Sequence, residues 1–274
     1  VDDGSTDGTC DQLVEWRKSE PRIQVLQLSR NFGHQAALLA GLANVSADAV
    51  VMMDADGQHP VHALPEMIEI WRGGVDVVNT FPELAPETGF FRRIAGRGFY
   101  SLFRLLTGLP VQEGMSDFRL LSSRAHQATL GAVGKRPFLR GTTSWIGLEQ
   151  SSVSYTLLGR VHGIRKYTIR RLVGLARDGV VGFSTRPLFI VACLGAVWSL
   201  GVVGYAGAFV VVELATGRDV PGWASIIGIL ATMQGILFVM MAVLGAYLGS
   251  IHNEVVGRPT YLVRQSFLTE ADQQ

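Results

Sequence analysis

Cysteine is nearly absent: two in 274 residues, Cys10 in a polar opening segment and Cys193 in an apolar run. Neither a disulfide framework nor a cysteine zinc site is therefore expected. Excess charge is also missing. Against 24 Lys and Arg stand 23 Asp and Glu, a formal net charge of +1, which gives no basis for a nucleic-acid partner. His34, His59 and His62 lack metal-ligand spacing among themselves. His59 reads as a loop residue and the other two as surface residues. Internal repeats and low-complexity tracts are absent, which excludes a solenoid or a disordered linker.

The most telling absence is local. Pro187–Val212 and Trp223–Ser250 contain no charged residue. At about 1.5 Å rise per residue, each can cross a hydrocarbon core of about 30 Å. The link Glu213–Gly222 between them holds one Arg, two acids, Pro and Gly. A two-span helical hairpin is expected, in keeping with a hydrophobic fraction of 48%. Arg160, Arg165, Lys166, Arg170, Arg171, Arg177 and Arg186 precede the first span, and Arg258 and Arg264 follow the second. The positive-inside rule then places the globular part and the tail in the cytoplasm, with the link outside. The expected organisation is a globular domain over 1–159, a basic membrane-surface segment over 160–186, spans over 187–212 and 223–250 joined by 213–222, and a tail over 251–274. The basic segment has two readings: contact with anionic lipid head groups, or a grip on the phosphate of a lipid substrate.

Ahead of the hairpin, apolar strands alternate with helical stretches. Ile23–Leu28, Ala49–Met53 and Val75–Asn79 read as strands, and Gln35–Leu42 and Pro60–Trp71 as helices. This β-α order predicts an α/β fold, a mostly parallel sheet with helices on its faces. Gly89–Thr107 reads as helical, with Arg92, Arg93, Arg97 and Arg104 among aromatic residues. After Ala49–Met53 come Asp54-Ala55-Asp56. A buried strand ending this way delivers two carboxylates to the sheet's C-terminal edge, where α/β folds hold ligands. Side chains alternate along a strand, so Asp54 and Asp56 point the same way and can share one hard cation. The same residues also suit a plain solvated turn.

The opening, Val1-Asp2-Asp3-Gly4-Ser5-Thr6-Asp7-Gly8-Thr9, is a second strand end running into a polar turn and a helix. Asp7 or Thr9 would cap that helix, with Leu13, Val14 and Trp16 on its apolar face. VDDGSTDGT followed by DADGQHP resembles the family 2 glycosyltransferases of GT-A fold. Gly114-Met115-Ser116-Asp117-Phe118-Arg119-Leu120-Leu121, Phe138-Leu139-Arg140-Gly141, Trp145-Ile146-Gly147 and Lys166-Tyr167 narrow the resemblance to the polyprenyl-phosphate glycosyltransferases. That group includes dolichol-phosphate mannose synthase and bacterial undecaprenyl-phosphate glucosyltransferases. Set beside that family, the chain looks shortened at the front, because the apolar strand that members carry ahead of VDDGS does not precede Val1.

The resemblance implies an inverting transfer of a hexose from a nucleotide-sugar to a polyprenyl phosphate at the cytoplasmic membrane face. UDP-glucose is the first expectation and GDP-mannose the next, with N-acetylglucosamine or aminoarabinose donors beyond them. Mg²⁺ or Mn²⁺ would sit on Asp54, Asp56 and Gln58 and stabilise the departing diphosphate. Asp2 and Asp3 would contact the nucleotide base. Asp117 would be a catalytic or positioning carboxylate; its plainer reading is a turn residue paired with Arg119. Lys166 would meet the acceptor phosphate, with Arg140, Arg92, Arg97 and Arg160 as further candidates. Around Lys166 the chain reads Gly163-Ile164-Arg165-Lys166-Tyr167, with Arg165 where the family carries a small hydroxyl residue. Phe138 and Trp145 are expected to pack. By analogy, copies assemble through their membrane helices. A processive polysaccharide synthase would carry a Q-x-x-R-W motif and more spans. A non-catalytic membrane scaffold built on a transferase stays open at this stage.

Overall fold

The structure, a computed structural model, describes residues 1–83, 98, 101, 103–108, 114–156, 180–216 and 222–268. Val1–Gly179 with Gly257–Gln274 form one compact unit, and Val180–Val256 a second.

In the first unit, the opening turn leads into α1 (Thr9–Ser19), β1 (Val25–Leu28), α2 (His34–Ala43), β2 (Ala49–Met52), a short 3-10 turn (Val61–Ala63) and α3 (Leu64–Arg72). Next come β3 (Val77–Pro82), β4 (Arg119–Ser122), α4 (Ser123–Ala132), α5 (Leu139–Trp145) and β5 (Gln150–Tyr155). The helix expected from Pro60 begins only at Leu64, with a proline in its first turn where no amide donor is needed. Helix α1 is capped by Gly8, while Asp7 accepts hydrogen bonds from the Thr9 amide at 3.1 Å and the Thr9 hydroxyl at 2.6 Å. Trp16, expected on its apolar face, is exposed.

Four strands form one sheet in the order β2-β4-β3-β5. β4 runs antiparallel to both neighbours, whereas β3 and β5 are parallel. Strands β2, β3 and β5 thus share a direction, as the β-α order predicts, and β4 opposes them. The physical reason lies in the connection: the chain reaches β4 from the edge where β2 ends, so it must run back. Both faces are covered. Val78 and Leu120 join Met67, Phe118, Val153 and Tyr155 on one side, while their sequence neighbours Val77 and Leu121 join Leu42, Met52, Ala125 and Leu139 on the other. Burial on both faces is why Val77-Val78 and Leu120-Leu121 are consecutive apolar pairs, whereas the edge strand β5 buries only Val153 and Tyr155. Each large side chain buried there contributes about 1.5–3 kcal/mol.

The stretch after the hairpin is more than a tail. Val263–Phe267 forms β6, which pairs antiparallel with β1 from Val25↔Phe267 to Leu28↔Val263. On the opening segment, Asp2 makes a parallel bridge to Gln27. Its amide donates to the Leu26 carbonyl at 2.8 Å, and its carbonyl accepts from the Leu28 amide at 2.9 Å.

The second unit consists of α6 (Arg186–Thr216) and α7 (Trp223–Val256). Arg186–Phe209 and Gly228–Val256 have a mean hydropathy of 2.1 and are long and apolar enough to cross a membrane. A β-carbon at Gly195 would lie 2.9 Å from the Met240 sulfur, so the absent side chain lets α6 and α7 approach. The Tyr247 hydroxyl donates to the Ser184 carbonyl at 2.7 Å.

Gly4 is the tightest point of the opening turn. Its φ is +72°, and a β-carbon there would stand 2.5 Å from the Arg30 carbonyl carbon. Gly8 also has positive φ (+82°) but open space around it. Gly4→Ala is expected to destabilise the protein by about 1–3 kcal/mol more than Gly8→Ala, read by denaturant unfolding of the two variants in parallel. Equal losses would mean that the contact with Arg30 is not a constraint.

Candidate active site

Strand register builds the site. On the β2–β4 ladder Met52 faces Arg119. Two residues further along an antiparallel pair, Asp54 comes opposite Asp117. Carboxylates 63 positions apart in sequence are thereby delivered to one edge of the sheet.

The Asp54-Ala55-Asp56-Gly57 loop is closed by two local bonds. The Asp56 Oδ1 accepts from the Gln58 amide at 3.0 Å, and the Asp54 amide donates to His59 Nδ1 at 3.1 Å. Because Nδ1 accepts, the ring proton sits on Nε2, which donates to the Ser116 hydroxyl at 3.2 Å. The buried His59 ring stacks on Phe118 (centroids 5.0 Å, interplanar 15°) and meets Tyr155 edge-on at 6.0 Å. His59 thus ties the acidic loop to the segment carrying Asp117.

Asp117 is buried, and both of its oxygens are engaged. Arg140 forms a bidentate pair with it, Nε to Oδ1 and Nη2 to Oδ2, each at 2.8 Å. Gln35 Nε2 and His34 Nε2 also reach Oδ2, each at 3.2 Å. Burial pushes the carboxyl upward, but the His34 hydrogen bond and the Arg140 charge outweigh it and hold Asp117 well below the usual carboxylate range. A carboxylate so low is ionised at neutral pH and is a poor proton acceptor. Its ion-pair partner is Arg140, not Arg119 as sequence adjacency suggested. Arg119 is fully buried and donates to the Ser116 carbonyl at 2.7 Å and to the Thr143 hydroxyl. Burial lowers its pKa to about 10.

His34, expected as a surface residue, stands between the two acidic positions, 3.2 Å from Asp117 and 3.6 Å from Asp54. His34 and Gln35 are the site residues that the sequence reading missed. Their only signal was two polar side chains, just after Gly33, opening an Ala- and Leu-rich helix. Asp2 and Asp3 shape the neighbouring turns. Asp2 accepts from the Ser5 amide and from Gln27 Nε2 at 3.2 Å. Asp3 accepts from the Phe32 amide at 2.8 Å and the Gly33 amide at 2.9 Å, which fixes the entry to α2 and hence the position of His34. A cavity of about 880 Å³ is lined by Leu26, His34, Leu38, Met52, Asp54 and Asp56 among others, and neither Asp2 nor Asp3 is part of its lining. Phe138 packs as expected, edge-on to Phe103 at 6.2 Å, whereas Trp145 is 60% exposed. Arg92, Arg97, Arg160 and Lys166 lie outside the described residues.

Among the described residues no three His, Cys, Asp or Glu gather into a complete metal cage. Asp54 and Asp56 lie beyond the end of β2, in a turn where strand alternation does not hold, yet both line the cavity and offer it hard oxygen donors. Mg²⁺ is commonly held by one or two carboxylates plus substrate phosphates, so this donor set fits a divalent ion completed by a diphosphate.

The family model described as "Glycosyl transferase family 2" matches residues 1–130. An uncharacterized glycosyltransferase of Bacillus subtilis, YkcC, is 34% identical over 269 residues, covering 97% of this chain and 83% of its own. The chain belongs to glycosyl transferase family 2. It is therefore a transferase. The bactoprenol glucosyl transferase of Shigella phage SfII is 32% identical to this glycosyltransferase over 267 residues, covering 97% of this chain and 86% of its own. A more distant likeness is the glucosyl-3-phosphoglycerate synthase of Mycobacterium tuberculosis, with a TM-score of 0.42 and 20% identity. That match covers 66% of this chain and 65% of that one, just under two thirds of its length.

The His34–Asp117 contact has a pH signature in this glycosyltransferase. His34 is raised above its ordinary value, first by the hydrogen bond to Asp117; burial lowers it, Asp54 raises it and Arg140 lowers it. A raised folded-state pKa stabilises fully below the unfolded value of about 6.5 and is lost as pH rises through the higher folded value. The ring is half exposed, so the effect is small. In EDTA, His34→Gln is expected to lower the melting temperature more at pH 5.5 than at pH 8.5. An equal loss at both values would contradict the assignment.

Proposed function

We propose that this glycosyltransferase moves a hexose from a nucleotide-sugar, UDP-glucose before GDP-mannose, to a polyprenyl phosphate at the cytoplasmic membrane face. The observation that carries the reading is the Asp117–Arg140 pair just beyond the β2–β4 ladder, with His34 Nε2 reaching 3.2 Å from Asp117 and 3.6 Å from Asp54. One side of the site suits a metal-bound diphosphate; the other presents an oriented guanidinium, the group that matches a phosphate. The name of the phage relative, a bactoprenol glucosyl transferase, points to the same acceptor class and sugar. The two long apolar helices supply a way to work at a lipid surface. Since β6 follows α7 and returns to β1, the chain leaves the unit for the hairpin and comes back to it. Both ends of a membrane-crossing hairpin then lie on one side, the side favoured by Arg186, Arg258 and Arg264. Assembly through the membrane helices rests on analogy with relatives.

Asp54, Asp56 and Gln58 would hold Mg²⁺ or Mn²⁺, which when bound supplies Lewis-acid stabilisation of the leaving diphosphate. Asp2 and Asp3 shape the pocket for the nucleotide. Arg140, aided by Lys166, Arg92, Arg97 and Arg160, receives the acceptor phosphate. That phosphate has a second pKa of about 6 and arrives largely ionised, so the nucleophile needs little help from a base. Asp117, ionised and saturated with hydrogen bonds, holds Arg140 instead of taking a proton. In-line attack inverts the anomeric centre and turns an α-linked donor into a β-linked lipid phosphate sugar.

The test is transfer from a panel of radiolabelled sugar nucleotides to undecaprenyl phosphate in detergent, with Mn²⁺, Mg²⁺ or EDTA. Metal-dependent labelling of the lipid by one donor is expected, and that donor names the sugar. Asp56→Asn is expected to reduce transfer by at least about 100-fold while membrane insertion persists. Lys166→Ala should mainly raise the KM for the lipid. No lipid labelling with any donor would refute the reading and favour a non-catalytic scaffold.

A further inference from the structure

Gln35 lies where the helical pattern calls for no polar group, on the second residue of a helix that is otherwise almost wholly Ala, Leu and Gly. Its side-chain oxygen accepts from the Leu139 amide at 2.9 Å. Its nitrogen donates to Asp117 Oδ2 at 3.2 Å. The orientation of the amide is fixed by chemistry, because a backbone N–H can only donate and an ionised carboxylate can only accept. Leu139 is the first residue of α5, and that helix has no side-chain cap at its own N-cap residue, Phe138. Gln35 therefore satisfies from outside one of the amides that a helix start leaves open. The next residue of α5 is Arg140, whose guanidinium closes on the same Asp117.

These bonds form a ring: Gln35 to the start of α5, Arg140 to Asp117, and Asp117 back to Gln35. One side-chain amide fixes both the backbone that carries the arginine and the carboxylate that aims it. The residue before it, His34, reaches Asp54 from the same helix start. We propose that Gln35 is a positioning residue that sets the angle at which Arg140 meets the acceptor phosphate, and so controls affinity for the acceptor separately from the donor. This inference rests on the acceptor reading given above.

Gln35→Glu tests it. The variant keeps the size of the side chain and the oxygen facing Leu139, but turns a donor to Asp117 into a like charge. Gln35→Met removes both hydrogen bonds without adding charge, and serves if the glutamate variant folds poorly. Binding is measured by calorimetry on the full chain in detergent at pH 8, with farnesyl phosphate as the acceptor probe and Mn²⁺ with UDP as the donor probe. Gln35→Glu is expected to weaken farnesyl phosphate about tenfold or more, and Gln35→Met by less, the scale of losing one charge-assisted hydrogen bond. UDP binding should stay within about twofold, and in turnover the change should fall on the KM for the lipid acceptor. Farnesyl phosphate affinity unchanged in both variants would overturn the inference. So would equal weakening of both ligands, which is what a merely structural role produces. A parent protein that binds Mn²⁺ with UDP but not farnesyl phosphate would instead overturn the acceptor reading itself, and the inference with it.

Discussion

The antiparallel ladder between β2 and β4 turns sequence distance into chemical proximity. With Met52 facing Arg119, Asp54 and Asp117 must arrive at the same edge, and everything that grips either carboxylate is drawn in with them. A parallel β4 would have carried Asp117 to the opposite end of the sheet. The ladder is held by burial on both faces, since Leu120 and Leu121 enter separate cores. A one-residue slip would exchange those faces and misplace Asp117 in the same step.

Charge at this edge is expensive to hold, which explains how tightly it is partnered. Removing one member of a buried ion pair costs about 3–5 kcal/mol, because the other is left uncompensated. Asp117 is answered by Arg140, His34 and Gln35. Arg119, fully buried on the adjacent strand position, donates from both terminal nitrogens while its Nε has no partner among the described residues. Across the β3–β4 ladder from it, the Asn79 Oδ1 is likewise unpartnered. Such buried networks fix one geometry when every member is satisfied, and here they hold the Arg140 guanidinium against Asp117.

Much of this was legible in the chain. The strand running into Asp54-Ala55-Asp56 and the two charge-free runs follow from alternation and length, and the ordered motifs pointed to the glycosyltransferase family to which the chain belongs. The direction of β4 was not legible, because an apolar Leu120-Leu121 pair fits a doubly buried strand running either way. Strand β6 was hidden for another reason: Arg264, Gln265 and Ser266 give an edge strand little apolar signal. Arg119 looked like the partner of Asp117 through nearness in sequence, whereas the fold supplies Arg140 from a separate helix. His34 resembled any exposed histidine, since only the Asp3 bonds to the Phe32 and Gly33 amides reveal that the start of α2 is aimed at the site.

The central claim is that one sheet edge joins a metal-binding carboxylate pair to an oriented arginine. The most direct measurement is a structure of the protein with Mn²⁺ and UDP, in which anomalous scattering locates the metal. The account predicts a peak bonded to Asp56, with the diphosphate completing its coordination and the Asp117–Arg140 pair intact alongside. A peak remote from Asp54 and Asp56, or Asp117 taking the metal with Arg140 displaced, would contradict it.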